Sequence, residues 1–406
     1  MTKPDGKSHQ LRRRDLLNSA LAATLAGSVQ TASAAPAHNL FDKIYGCLAG
    51  SFIGSAMGVA VEGFSREKIA EKYGVLKTFE PWDLWWNFPY VAGSTEDGTE
   101  RVKQMCLAIA EKGDRINAAD LARTWARTNP DERMERMKKI VTEFDVETTQ
   151  VAKVRGYNNQ LGVVPAGYIG TVVNYTHGLN TMVRSFMPIA MVNACDEEGA
   201  IRDTYDVGRI YHPLTSEGFL WGAAYNAALA HACRPDATVD SVINTALKYA
   251  HPSIRPELER GLDIARKYGN TTKMRDAFYE IYDGSGGLPF HYSYAVEIAT
   301  KAFAAFLATN GNVEDTIIMT VNFGRDTDCL AASAGALAGA LAGASKIPPD
   351  WIRTVDEATK KNPNTCSQLT IREHAEDIFK VVQKRVQEMK AYVAFMESAG
   401  ISNPAA

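Results

Sequence analysis

"VNFGRDTDCLAASAGALAGALAG", residues 321–343, carries two aspartates one residue apart and then a run of mostly alanine and glycine. A helix with such small side chains has little apolar area of its own and is stable only where another element presses close against it. The stretch therefore predicts a buried, closely packed helix; it is too short and too rich in small residues for a membrane span. Asp326 and Asp328 at its start admit two readings. They cap the unpaired N–H groups of the first turn, or they hold a cation.

A second helix of the same kind is read near the start of the chain. After Asn39, a candidate N-cap, Phe41, Ile44, Tyr45, Leu48 and Phe52 recur at three- and four-residue steps. Gly50, Gly54 and Gly58 share one stripe of it, which lets another helix approach closely. Helical faces continue through Val102, Met105, Cys106 and Ile109, closed by Gly113, and from Asn117 through Leu121 and Trp125. Further helices are expected over 218–232, 239–250, 294–308 and 313–323, and a charged one over roughly 371–395. No alternating strand pattern and no Gly-Ser linker interrupts them. The expected fold class is all-α, a single multi-helix domain over residues 36–406.

The 406 residues are 46% hydrophobic, enough for a sizeable core. A net charge of −3 and a pI near 6.3 give no electrostatic footprint for nucleic acid. The cysteines (Cys47, Cys106, Cys195, Cys233, Cys329, Cys366) stand singly, without the paired spacing of a zinc knuckle or redox couple. The N-terminus has a basic start, a weakly apolar stretch and Ala32-Ser33-Ala34. That is the anatomy of an export signal over residues 1–35, and Arg13-Arg14-Asp15-Leu16-Leu17 is similar to the twin-arginine type. The expected location is periplasmic or secreted, with no membrane span in the mature chain.

Two more acidic positions stand out. Glu62 follows a strongly apolar helix, where the dipole disfavours a carboxylate. "GSTEDGTERV" (93–102) groups Thr95, Glu96, Asp97, Thr99 and Glu100 just before a helix. Such oxygens suit magnesium or manganese, and they equally suit a helix N-terminus.

At these residues the chain resembles the ADP-ribosylglycohydrolase family. The resemblance rests on "GCLAGSFIGSAMGVAVEGF" (46–64), "TEDGTE" (95–100), "YHPLTSEGFLWGAAYNAALA" (211–230), "GRDTDCLAASAGALAGALAG" (324–343) and "KIPPDWI" (346–352). It implies a single all-α domain with a central metal cleft and two magnesium ions, manganese being an alternative. Thr95, Glu96 and Asp97 fall on one set of metal ligands, and Asp326 and Asp328 on the other. Glu62, beside the scissile bond, and Asp97 become the catalytic candidates, and His212 falls on a histidine near the substrate in some members.

The chain departs from the family pattern in four ways. Glu96 replaces the usual aspartate, Gly98 interrupts the usual Asp-Asp-Thr, and Cys329 stands where a threonine or serine is common. The family's Gly-Asn-Gly-x-x-Met-Arg-x-x-Pro stretch is matched to "GYNNQLGVVP" (156–165), with Gly162 at the arginine position and Gln160 as a substrate-binding candidate. Aromatic-rich "PWDLWWNFPY" (81–90) either stacks on a base or sugar or packs internally. The expected activity is metal-dependent hydrolysis of a ribosyl-type N- or O-glycosidic bond, an ADP-ribosyl linkage among them, on a small-molecule or ribosylated substrate. The alternatives are a nucleoside or small-glycoside hydrolase, or an inactive binding protein of the same fold.

Overall fold

Two helices with glycine on their facing sides set the architecture. The computed structural model describes residues 39–83, 88–128, 178–283 and 292–400. In chain order its helices are α1 (Leu40–Gly58), α2 (Arg66–Tyr73), α3 (Asp97–Lys112), α4 (Ala118–Thr128), α5 (Thr181–Arg184), α6 (Met187–Val192), α7 (Glu197–Gly208), α8 (Gly218–Ala232), α9 (Val239–Tyr249), α10 (Arg255–Tyr268), α11 (Thr272–Tyr282), α12 (Ala295–Ala308), α13 (Val313–Val321), α14 (Thr327–Ala342), α15 (Pro349–Lys361) and α16 (Ile371–Ser398). No strand occurs among the described residues; Trp82 with Tyr90 and Leu179 with Tyr294 form isolated bridges.

α1 and α14 run antiparallel with their backbones in contact. Gly46 faces Gly339, Gly50 faces Gly335, Gly54 faces Ala331, and Gly58 faces Thr327 and Asp328. A Cβ added at Gly58 would lie 2.6 Å from the Cα of Asp328, and one at Gly50 would overlap the Gly335 carbonyl. Only glycine admits this approach, which accounts for the composition of both helices. α1 is buried from Lys43 to Gly58 except at Tyr45. By length and composition Leu40–Val61 could cross a membrane, but 94% of its most apolar window lies inside the protein. It is the core helix of this domain.

α8 packs beside this pair, its Tyr225 hydroxyl donating to the Ser333 carbonyl at 2.6 Å. The local signals read from sequence are the ones the chain uses. Gly113 ends α3 in the left-handed region, and Asn117 caps α4 by accepting from Ala119 and Asp120 at 2.9 and 3.0 Å. α16 continues to Ser398, past the expected end near 395. All the cysteines are free thiols.

Because the α1–α14 contact has no spare room, Gly50→Ala should lower the unfolding free energy by about 3 kcal/mol or more, the scale of a severe core overpacking. Urea denaturation measures it, and a loss under about 1 kcal/mol would show that the helices can part without cost.

Candidate active site

The α1–α14 contact delivers Glu62 and the two aspartates to the same end of the core. Val59–Val61 continues α1 as a single 3₁₀ turn, and Glu62 leaves it with extended backbone. The turn after Glu62 then pairs with the turn before α14: Gly63 N–H donates to the Arg325 carbonyl, and Arg325 N–H to the Phe64 carbonyl, both at 2.8 Å. Thr327 Oγ1 adds a bond to the Gly58 carbonyl at 2.8 Å. Arg325 sits at φ 68°, a left-handed conformation that costs a side-chain-bearing residue about 1–2 kcal/mol. Its guanidinium is clamped by Glu297 at 2.8 and 3.0 Å, and Glu297 also pairs with buried Lys301.

Asp326 occupies the N-cap position of α14 but makes no side-chain cap bond. Its Oδ2 accepts from Asn180 Nδ2 at 3.2 Å, while its Oδ1 and the Oδ1 of Asp328 are buried without a hydrogen-bond partner. Cys329 Sγ donates to Asp328 Oδ2 at 3.4 Å. Asp326, Asp328 and Cys329 offer ligand atoms all within 4.8 Å of one another. Burial pushes the Asp328 carboxyl well up, and the charges of Glu62, Asp326 and Glu96 add to it; burial also raises Asp326. Two buried carboxylates with open oxygens and no cap bond do not suit helix capping; they suit a hard cation.

The opposite wall is organised differently. Glu96, 4% exposed, is a true N-cap: its Oε2 accepts from Gly98 N–H at 2.5 Å. Its Oε1 accepts from Ser55 Oγ at 2.8 Å and is ion-paired to the fully buried Arg184, whose Nη2 also donates to Thr99 at 3.0 Å. Burial alone would raise the Glu96 carboxyl, but the Arg184 guanidinium and these hydrogen bonds outweigh it and hold the group at about 2. Asp97 is one-third exposed and paired with Arg101, one turn along α3. Thr95 is buried at the same turn. Glu100 turns away: Lys103, Thr365 and the Cys366 N–H hold it on the far side of α3. Trp82 and Tyr90 stack on each other with centroids 4.2 Å apart, and Trp82 Nε1 donates to the Ser94 carbonyl, so this pair packs internally and anchors the loop before α3. Leu84–Asn87 lie outside the described residues.

The two walls share one electrostatic neighbourhood, since Arg184 feels Glu96, Cys329, Asp328 and Asp97 together. Arg184, Asn180 and Tyr292 were not singled out by sequence. Tyr292 faces Glu62, Asp326, Asp328 and Cys329, and burial followed by their charge pushes its hydroxyl far up. The signal for the first two was present: Gly178 and Arg184 keep the spacing of the Gly-Asn-Gly-x-x-Met-Arg-x-x-Pro pattern, with Asn180, Met182 and Pro188 each displaced by one position. An arginine therefore stands in the site, where the reading of 156–165 expected none; that stretch, with Gln160 and Gly162, lies outside the described residues. His212 is buried, and its Nε2 meets Thr181 Oγ1 at 2.9 Å. Together with Asn226, which donates to the Met182 carbonyl at 3.0 Å, it fixes the segment carrying Asn180 and Arg184.

A family model described as ADP-ribosylglycohydrolase matches residues 36–388. The chain is 24% identical over 328 residues to an ADP-ribosyl-[dinitrogen reductase] glycohydrolase of Rhodospirillum rubrum, covering 78% of this chain and 92% of that one. An uncharacterized protein of Archaeoglobus fulgidus is 25% identical over 317 residues, with 77% and 90% covered. A shorter match, 42% over 62 residues, joins 15% of this chain to 16% of the ADP-ribosylarginine hydrolase Tri1 of Pseudomonas putida. Among solved structures, a chain of an ADP-ribosylglycohydrolase-related protein complex shares the fold with a TM-score of 0.59 at 18% identity, covering 85% of this chain and 98% of that one.

The raised Asp328 carboxyl gives a stability test. Its proton is held more tightly in the folded than in the unfolded chain, so stability falls as pH rises from the ordinary carboxylate range toward the raised value. Asp328→Asn removes that penalty. In a chelating buffer at pH 7 the variant should melt roughly 1–2 °C above the parent, about 1 kcal/mol. The gap should narrow toward pH 5. A variant that melts lower at pH 7 would contradict the account.

Proposed function

Since the chain belongs to the ADP-ribosylglycohydrolase family, we propose that it hydrolyses an ADP-ribosyl N- or O-glycosidic bond with the help of a divalent cation, magnesium or manganese. The observation that carries the metal dependence is the pair of orphaned, buried oxygens on Asp326 and Asp328, aspartates that cap nothing although they begin a helix. These two residues would hold a cation; Thr95, Glu96 and Asp97 are the second set of ligands that the family implies. Bound there, the cation would orient neighbouring ribose hydroxyls and lower the pKa of a water molecule.

The protein's own groups supply the rest. Cleaving the bond builds positive charge on the ribose ring, and Glu62, partly exposed beside Asp328 and Tyr292, stabilises that charge and serves as acid or base. Asp97, also open to solvent, is the second catalytic carboxylate, its rotamer fixed by Arg101. His212 acts on the substrate through the 178–184 segment that its ring supports. The named relatives act on ADP-ribosylated protein or ADP-ribosylarginine, which favours a ribosylated acceptor for this chain. The leader with Arg13-Arg14 supports export, where ribosylated small molecules are accessible as well. A simpler ribosyl glycoside is the second reading, favoured by the full burial of Arg184, which presents no exposed surface to a diphosphate.

The test is release of free ADP-ribose from an ADP-ribosylarginine peptide, with nucleosides and simple glycosides in parallel. Release should need magnesium or manganese and stop with chelator. Glu62→Gln should lower kcat by about 10²-fold or more. Undiminished release from that variant removes Glu62 from the chemistry, and binding without release identifies a binding protein.

A further inference from the structure

Resting on that reading, we infer that this protein uses one divalent ion where the family resemblance implies two, because the guanidinium of Arg184 takes the place of the ion beside Glu96. The two carboxylate walls differ in what they lack. On the α14 side, Asp326 Oδ1 and Asp328 Oδ1 have no protein partner. On the α3 side, Glu96 Oε1 already receives Ser55 and Arg184, and Oε2 receives the Gly98 N–H.

The departures read from sequence fit this arrangement. Glutamate is one methylene longer than the usual aspartate, so its carboxylate reaches both the helix N-terminus and the arginine. Gly98, which breaks the usual Asp-Asp-Thr, leaves room for that arginine: a Cβ there would lie 3.0 Å from Arg184 Cζ. Arg184 is 0% exposed and cannot swing out to water when an ion arrives. A dication bound at Glu96 would therefore meet a fixed positive charge in a buried pocket, where like charges repel strongly. A guanidinium is always charged, so Arg184 satisfies Glu96 Oε1 permanently through Nη2 without being drawn from solution, while its Nε and Nη1 stay buried without a partner. Cys329 beside Asp328 leaves the remaining site better suited to manganese than to magnesium.

Equilibrium dialysis of the full chain against Mn²⁺, with bound metal counted by mass spectrometry, tests this. The parent protein should bind one ion per chain, Glu96→Gln should still bind one, and Asp328→Asn should bind none. Arg184→Met, if it folds, should admit a second ion. Two ions in the parent, falling to one in Glu96→Gln, would overturn the inference and leave the proposed function standing. A folded Arg184→Met that still binds one ion would also overturn it. No ion in the parent, or undiminished binding by Asp328→Asn, would remove the metal-dependent reading itself.

Discussion

Backbone contact between α1 and α14 is the constraint from which the rest follows. Glycine or alanine at each crossing lets the two helices meet without intervening side chains, which explains why both are so poor in large residues. The loss of side-chain contacts is offset by the density of backbone contact and by the burial of most of both helices among their neighbours. The same contact fixes where both helices terminate. Glu62 leaves one at the level where Asp326 and Asp328 begin the other, and the two backbone bonds between Gly63, Phe64 and Arg325 lock that level.

What is assembled there works against stability. Buried carboxylates crowd one another, Arg325 adopts a left-handed backbone, and a Glu297–Lys301–Arg325 ion cluster is enclosed nearby. A fold that tolerates this must over-determine each piece, and it does so by clamping Arg325 at both backbone and side chain. Buried carboxyl oxygens left without a hydrogen-bond partner in a rigid frame are a common mark of a site shaped for something other than the protein itself. The two walls handle their charge in opposite ways, one pairing it internally and the other leaving it open.

Much of this was legible in the sequence, and the limits are instructive. Helical periodicity, the glycine stripes, the Asn117 cap and the Gly113 stop are local signals, and the chain obeys them. The acidic helix starts were harder, because capping and cation binding use the same residue types. Only geometry separates them: Glu96 caps, Asp326 does not, and Glu100 points elsewhere. Arg184 was hidden for another reason. Its motif is out of register at Asn180, Met182 and Pro188, and nothing in a linear pattern tells that an arginine more than eighty positions away will neutralise Glu96.

The seam between α1 and α14 also limits how the pocket can breathe. Small residues recur along it every fourth position, so the next alignment that avoids a clash lies four residues away, about 6 Å. Sliding is thus all-or-nothing, and a slip of that size would tear Glu62 from the aspartates. The floor of the pocket is a ratchet with a single usable notch. The facing wall is held as firmly, because residues 178–184 are tied by backbone hydrogen bonds to Ser293 and Ala295 and by side-chain bonds from His212 and Asn226.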